Sequence, residues 1–231
     1  MLFNHKISLV TTCMKRADHL EQSLPTWLPH PIDEIIIVDW SSPDNVKEVI
    51  DKYQDGRIVH VSVPNRIIYD RSRSRNVGVR SSTGYFLVLC EIDIKIGVQS
   101  LSCVHSTQNI LYRFVDKECS GLAGMCIITK SMFENINGYN ERFEGWGRED
   151  YDLFERLTKN NYPEKRIIEG LKHIDHSDER RVMFHITKNT KQSEYSNKML
   201  SKQYPWTNRD RQQRMFVSIV RPNTEIFQGW I

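Results

Sequence analysis

Residues 145–152 read Gly-Trp-Gly-Arg-Glu-Asp-Tyr-Asp, and here the chain concentrates groups able to move a proton. Trp146 stands between Gly145 and Gly147, so a broad apolar plate sits on backbone free to take unusual dihedrals. Glu149, Asp150 and Asp152 follow where a helix would begin. One reading is that they complement the positive end of the helix dipole. Spacing adds another. With a helix starting near Glu149, Glu149 and Asp150 share the stripe of Leu153 and Leu157, whereas Asp152 falls with Glu155, Arg156 and Lys159 and is expected to face water. Two inward carboxylates beside a tryptophan plate suit gripping a sugar and taking a proton from it.

The elements that must position these groups follow from hydrophobic patterning. Residues 7–13, 34–39, 58–63 and 85–90 are short apolar runs of strand type, and 17–27, 46–53 and 71–79 read as the helices between them. Such β-α-β-α order predicts an α/β fold with a mostly parallel sheet and right-handed crossovers. Ligands in these sheets bind beyond the carboxyl ends of the strands, where Thr11-Thr12, Asp39 and Glu91-Ile92-Asp93 all fall. Farther on, 97–105 reads as a helix, 110–114, 121–129 and 166–171 as strands, 130–136 as a short helix, 193–203 as a helix, and 215–220 as an apolar run. The segment 11–16 (Thr-Thr-Cys-Met-Lys-Arg) holds no glycine, which excludes the glycine-rich loops of dinucleotide folds and P-loops and counts against nucleotidyltransferases.

Composition is that of a soluble globular protein: 231 residues, 39% hydrophobic, 26% charged, net charge +3. That charge does not indicate a nucleic-acid partner. The five cysteines form no CxxC pair, and Cys13, Cys90 and Cys126 lie in apolar runs, so buried free thiols are expected rather than disulfides or a zinc site. No signal-peptide or membrane-spanning run is present, so a cytoplasmic location is expected.

Asn137-Gly138-Tyr139-Asn140-Glu141-Arg142-Phe143 followed by Gly145-Trp146-Gly147-Arg148-Glu149-Asp150 resembles the C-terminal signature of β-1,4-galactosyltransferases and related GT-A glycosyltransferases of family-2 type. The resemblance implies that this stretch presents the acceptor site through Trp146, Gly147 and Glu149, with Asp150 and Glu149 catalytic. Arg75-Asn76-Val77-Gly78 resembles the Arg-Asn-x-Gly helix of these enzymes and implies that Arg75 and Asn76 face the donor diphosphate, a task that suits a planar guanidinium. Asp39 matches the first acid of the loop that receives the uracil imide, although Trp40 and Ser41 depart from the pattern; capping of the helix after it explains Asp39 equally well. Glu91-Ile92-Asp93 stands where the family has Asp-x-Asp, with Glu for the first Asp. Alternate residues of an extended segment share a face, so both carboxylates could reach one cation. The resemblance assigns Asp93 to the metal, Glu91 to the metal or the donor ribose, and a later histidine to complete the site: His176 first, His173 second. Imidazole favours manganese over magnesium.

The expectation is thus a single α/β domain of GT-A type over residues 1–178, with a nucleotide half near 1–95 and an acceptor half near 96–178. Residues 179–231 would be an appendage or lid. The expected activity is metal-dependent, inverting transfer of a hexosyl unit from a nucleotide sugar, UDP-linked, to a glycan or other hydroxyl acceptor. Donor contacts would come from Thr11, Thr12, Arg16, Asp39, Arg75, Asn76, Glu91 and Ile92. The competing reading is a sugar-nucleotide- or glycan-binding module without catalysis. Homo-oligomers stay open.

Overall fold

The computed structural model describes residues 5–98, 109–115, 124–168, 170–222 and 226–231, together with residues 101, 122 and 224. Seven elements build the first half: β1 (Ile7–Cys13), α1 (Ala17–Trp27), β2 (Glu34–Asp39), α2 (Val46–Asp51), β3 (Ile58–Ser62), α3 (Arg71–Ser81) and β4 (Phe86–Leu89). β2 is a run of isoleucines because it is buried on both faces. Ile35 and Ile37 join the apolar cluster that includes Leu20, Leu24 and Trp27 of α1, while Ile36 and Val38 join the opposite cluster with Val77 of α3. The pairings β1–β2, β2–β3 and β1–β4 are all parallel, as the sequence pattern predicts.

The second half contains β5 (Ile94–Ile96), β6 (Leu111–Phe114), β7 (Cys126–Thr129), α4 (Lys130–Asn135), α5 (Glu149–Lys159), β8 (Glu164–Ile167) and β9 (Leu171–His173). It closes with α6 (Asp178–Val182), α7 (Thr190–Gln203), β10 (Phe216–Val220) and β11 (Phe227–Trp230). Nine strands form one mixed sheet in the order β11-β10-β3-β2-β1-β4-β7-β6-β8, and β5 pairs with β9 in a separate ribbon. The strand expected over 166–171 is therefore two strands. Gly170, at φ 91°, supplies the left-handed turn that sends β9 away from the main sheet and onto β5. The helix expected over 97–105 falls mainly outside the described residues. Strands β10 and β11, from the C-terminal stretch, extend the sheet antiparallel beside β3.

Cys13, Cys90 and Cys126 are buried free thiols; Cys103 and Cys119 fall outside the described residues. Among the described residues, no helix is long and apolar enough to cross a membrane.

The seating of α3 on the sheet depends on Gly78. A Cβ there would stand 2.5 Å from Val10 Cγ1 and 3.0 Å from Val38 Cγ2, so the helix approaches closer than any side chain permits. Gly78→Ala should destabilise the fold by about 1–3 kcal/mol through overpacking, despite alanine's better helix propensity. Urea unfolding measures this, and a stability equal to or above wild type would show that the contact relaxes freely.

Candidate active site

Beyond the carboxyl ends of β1 and β4 lies a cavity of about 250 Å³. Its walls include Thr12 and Arg16 after β1, Glu91-Ile92-Asp93 after β4, Trp146 through Tyr151 at the start of α5, and His173 and His176. Helix α1 fixes the Glu91–Ile96 segment by polar side chains. Ser23 Oγ donates to the Ile92 carbonyl at 2.8 Å, Trp27 Nε1 donates to Ile94 O at 2.9 Å, and Thr26 Oγ1 accepts from Ile96 N at 3.0 Å. Buried bonds of this kind contribute about 1 kcal/mol each.

The β5–β9 ribbon sets Ile94 opposite His173, and Ile174 N donates to Asp93 O at 2.7 Å. This register brings Asp93, His173 and His176 together, with one donor atom of each within 4.8 Å of the others. Asp93 Oδ2 stands 3.0 Å from His176 Nε2 and 3.6 Å from His173 Nε2. Burial alone would raise the Asp93 carboxyl, but the two imidazoles outweigh it and hold that carboxyl well below the usual range. The Asp93 bond raises His173 in return. With Nδ1–H donating to Ser177 O at 3.1 Å, His176 turns Nε2 towards the carboxylate. One ionised carboxylate and two imidazole nitrogens converging on a single point fit a divalent cation. Glu91 is not in this group. Its carboxylate is turned to Arg71, at 3.1 Å, and to Arg75.

Beneath the cavity these two arginines join three carboxylates. Arg75 Nη1 lies 2.7 Å from Asp150 Oδ1 and 3.4 Å from Glu149 Oε1, and Arg71 Nε lies 3.0 Å from Glu149 Oε1. Arg75 also sits over the Tyr139 ring at 4.9 Å. The two adjacent acids are driven apart. Burial pushes both up, but Arg71 and Arg75 together pull Glu149 below its ordinary value, whereas for Asp150 burial wins and the charge of Glu149 adds to it. An acid held ionised beside one raised above its ordinary value is the pattern of a binding group next to a proton acceptor. Gly124 leaves room for both Glu91 and Asp150: a Cβ there would meet their oxygens at 2.7 and 2.8 Å.

The Trp146 loop is built from unusual backbone, with Gly145 at φ 76°, Gly147 at 91° and Arg148 at 81°. Helix α7 clamps it. Ser193 Oγ donates to Trp146 O at 2.9 Å, and Asn197 Nδ2 donates to both Glu144 O and Gly147 O at 3.0 Å. Arg181 lies over the Trp146 ring at 5.3 Å. Among the expected residues, Thr12, Arg16, Glu91, Ile92, Asp93, Trp146, Gly147, Glu149, Asp150, His173 and His176 line the cavity. Thr11 is buried, Asp39 accepts from Ser42 N at 2.8 Å, and Asn76 is buried against Tyr139 O and Glu141; these three do not line it, nor does Arg75, which stands behind Asp150. Asp152, expected to face water, is buried instead, because Arg156 bridges its carboxylate and the Ile136 carbonyl. Tyr69, Arg180, Phe184, His185 and Glu194 also line the cavity, and no spacing in the sequence marks them.

The comparisons with known proteins follow this geometry. Residues 8–95 match glycosyl transferase family 2, and residues 102–178 match the family described as N-terminal domain of galactosyltransferase. A search of the curated proteins gives no match. Among solved structures, the chain is similar to the catalytic domain of Drosophila beta1,4-galactosyltransferase 7 in complex with xylobiose, at TM-score 0.65 and 17% identity, covering 92% of this chain and 86% of that one. A mutant of that enzyme with manganese, UDP-Gal and xylobiose matches at TM-score 0.59 and 16% identity, covering 82% and 79%. The mannosyltransferase PcManGT from Pyrobaculum calidifontis, in complex with GDP-Man and Mn2+, matches at TM-score 0.60 and 12% identity, covering 72% and 56%. The fold is GT-A. The chain is a glycosyltransferase whose first half matches family 2 and whose second half matches the galactosyltransferase family.

Two outcomes follow from the site. His176→Ala should weaken Mn2+ binding at least tenfold in calorimetric titration, and an unchanged affinity would remove it from the donor set. The buried His185 imidazole is pushed down to about 4, by burial first and then by Arg71. Because the folded state disfavours its protonation, its contribution is complete above pH 6.5 and is lost as pH falls from 6.5 through 4, by up to about 3 kcal/mol. Urea unfolding at pH 7.5 and 4.5 should show a smaller acid loss in His185→Phe than in wild type; His19, also pushed down to about 4 by burial, acts in the same direction in both.

Proposed function

We propose that the chain is an inverting hexosyltransferase using a UDP-linked sugar and a hydroxyl acceptor. The observation that carries this is the pair Glu149 and Asp150, whose carboxyls are shifted in opposite directions at the wall of the cavity that also holds the Asp93, His173 and His176 cluster. Asp150 acts as general base, taking the proton of the acceptor hydroxyl as its oxygen bonds to the anomeric carbon and the bond to the diphosphate breaks. Base catalysis of this kind is worth about 10²–10⁴-fold. Glu149, held ionised by Arg71 and Arg75, accepts hydrogen bonds from acceptor hydroxyls. Trp146 offers the apolar face of its ring to a sugar.

Asp93, His173 and His176 would hold a divalent cation, manganese before magnesium on the strength of two imidazoles, and when bound it would neutralise charge on the leaving diphosphate. On the donor side, Thr12, Arg16, Arg71 and Ile92 are the cavity-lining candidates for nucleotide contacts. Arg16 suits the diphosphate because its Nη1 is buried without a partner among the described residues. A base contact at Asp39 and diphosphate contacts from Arg75 and Asn76 require rearrangement of the bonds those residues make in this structure.

Asp150→Asn should remove transfer while leaving Mn2+-dependent UDP-sugar binding within a few-fold of wild type. Product formation and calorimetric donor binding are measured on the same preparation. Undiminished turnover would exclude Asp150 as base, and donor binding without turnover in the wild-type chain across acceptors would favour a binding module.

A further inference from the structure

The nine-stranded sheet ends in β8 on one side and β11 on the other, and the two edges are built differently. β8 carries Glu164, Lys165 and Arg166, with Glu164 held at 3.4 Å by Arg113 and at 2.9 Å by Arg166. Charges of this kind keep an open edge from pairing with another chain. β11 has no such guard. Residues 226–231 read Ile-Phe-Gln-Gly-Trp-Ile, without a charge or a proline, and the β10–β11 register runs without a bulge from Phe216 opposite Trp230 to Ile219 opposite Phe227. Among the described residues, β11 pairs only with β10. Ile226, Phe227 and Trp230 are 59%, 48% and 60% exposed.

Backbone alternation decides which groups this edge offers. Met215 and Ile231 exchange both N–H···O bonds at 2.9 Å, so Ile231, Gly229 and Phe227 turn their polar groups inward to β10. Gln228 and Trp230, and Ile226 by continuation, turn theirs outward. Trp230 O accepts from Arg214 Nη2 at 3.2 Å, which leaves it a second lone pair. A second copy, turned about a two-fold axis perpendicular to the sheet, presents the same groups in reverse order. With the axis at Gln228, that residue faces its own copy, Ile226 faces the partner's Trp230, and Phe227 faces the partner's Gly229. Each match suits its position: amide on amide, apolar on apolar, large on small. The Phe227 ring already leans over Gly229 of its own strand, where a Cβ would stand 2.8 Å from its Cζ. Across the axis the two Phe227 side chains take diagonal positions about 7–8 Å apart, within reach of aromatic rings.

We propose that β11 is a self-association edge: two copies of this chain join β11 to β11, antiparallel, with Gln228 on the two-fold axis, so that two sheets become one. About six backbone hydrogen bonds cross the seam. The contact is isologous and therefore closed, and the charged β8 edges keep it from growing into a fibre. Its apolar area is modest. The exposed parts of Phe227 and Trp230 come to about 200–250 Å² per copy on the usual area of aromatic side chains. A standard interface takes about 800 Å² from each partner, so the dimer is reversible and concentration-dependent. The catalytic cavity, beyond the ends of the central strands β1 and β4, stays open. The inference does not rest on the transferase reading.

The test is sedimentation velocity of the full chain over a dilution series. Wild type should pass from monomer to a particle of twice the chain mass as concentration rises, and stop there. Gln228→Lys sets like charges directly opposite each other on the axis and should weaken association about tenfold or more. Gln228 is exposed, so circular dichroism and the urea midpoint should match wild type. Disulfide formation reads the register. Directly opposed residues stand about 5.5 Å apart at Cα, within disulfide reach, so Gln228→Cys should cross-link two chains under mild oxidation. Ile226→Cys, whose two copies lie about 14 Å apart in this register, should not, and neither should the wild type with its own cysteines. A monomer at every concentration, a dimer indifferent to Gln228→Lys, growth beyond the dimer, or cross-linking of Ile226→Cys as fast as of Gln228→Cys overturns the proposal. So does partition of the monomer onto phosphatidylcholine vesicles in place of dimerisation, which would assign the edge to a lipid surface.

Discussion

The site depends on one crowded ionic contact. Glu91, Glu149 and Asp150 meet Arg71 and Arg75 in a volume almost closed to water, with the Arg75 and Glu149 side chains 8% and 5% exposed. Carboxylates at that depth are costly unless paired, and removal of one partner from such a cluster typically costs about 3–5 kcal/mol. The contact therefore constrains three segments at once: α3, which carries both arginines, the turn after β4, which carries Glu91, and the start of α5. Arg71 and Arg75 are four residues apart on a helix and so point the same way. The close approach at Gly78 sets how deep they reach.

The metal corner is positioned by different means. Backbone register sets His173 and His176 against Asp93, and their contacts with its carboxylate follow from that placement. The turn at Gly170 releases β9 from the main sheet, β9 pairs with β5, and the ribbon's register puts His173 beside the residue that precedes Ile94. The polar side chains of α1 then hold β5 against the helix. The histidine cluster and the ionic cluster thus line one cavity and meet at the turn after β4, which carries Asp93 of the one and Glu91 of the other.

Much of this was legible in the sequence. The strands of the first half are continuous apolar runs because they are buried on both faces, and the acids at their ends follow from that architecture. The inward direction of Glu149 follows from helical period alone. Asp152 fails on the same criterion because period describes an isolated helix, and the Ile136 carbonyl with Arg156 covers its outer face. The C-terminal stretch was opaque for a related reason. The helical pattern over 193–203 assigns no role to Ser193 and Asn197, yet their partners are loop atoms 47 to 53 positions away. Its first strand, β10, lies beside β3 with β11 outside it, across a chain separation that no local pattern encodes.

The ionic cluster also explains which of two neighbouring acids can accept a proton. Three carboxylates face two guanidinium groups, so one negative charge is left without a full partner. Glu149 lies deepest and is approached by both arginines, so it keeps its ionised form. Asp150 is approached by Arg75 alone and has Glu149 as its neighbour, so the imbalance appears there as a raised affinity for protons. It is also the more exposed of the two, its side chain 15% accessible against 5%, and it faces the cavity across the gap left by Gly124. Proton affinity and access coincide at one carboxyl group because the cluster is one positive charge short.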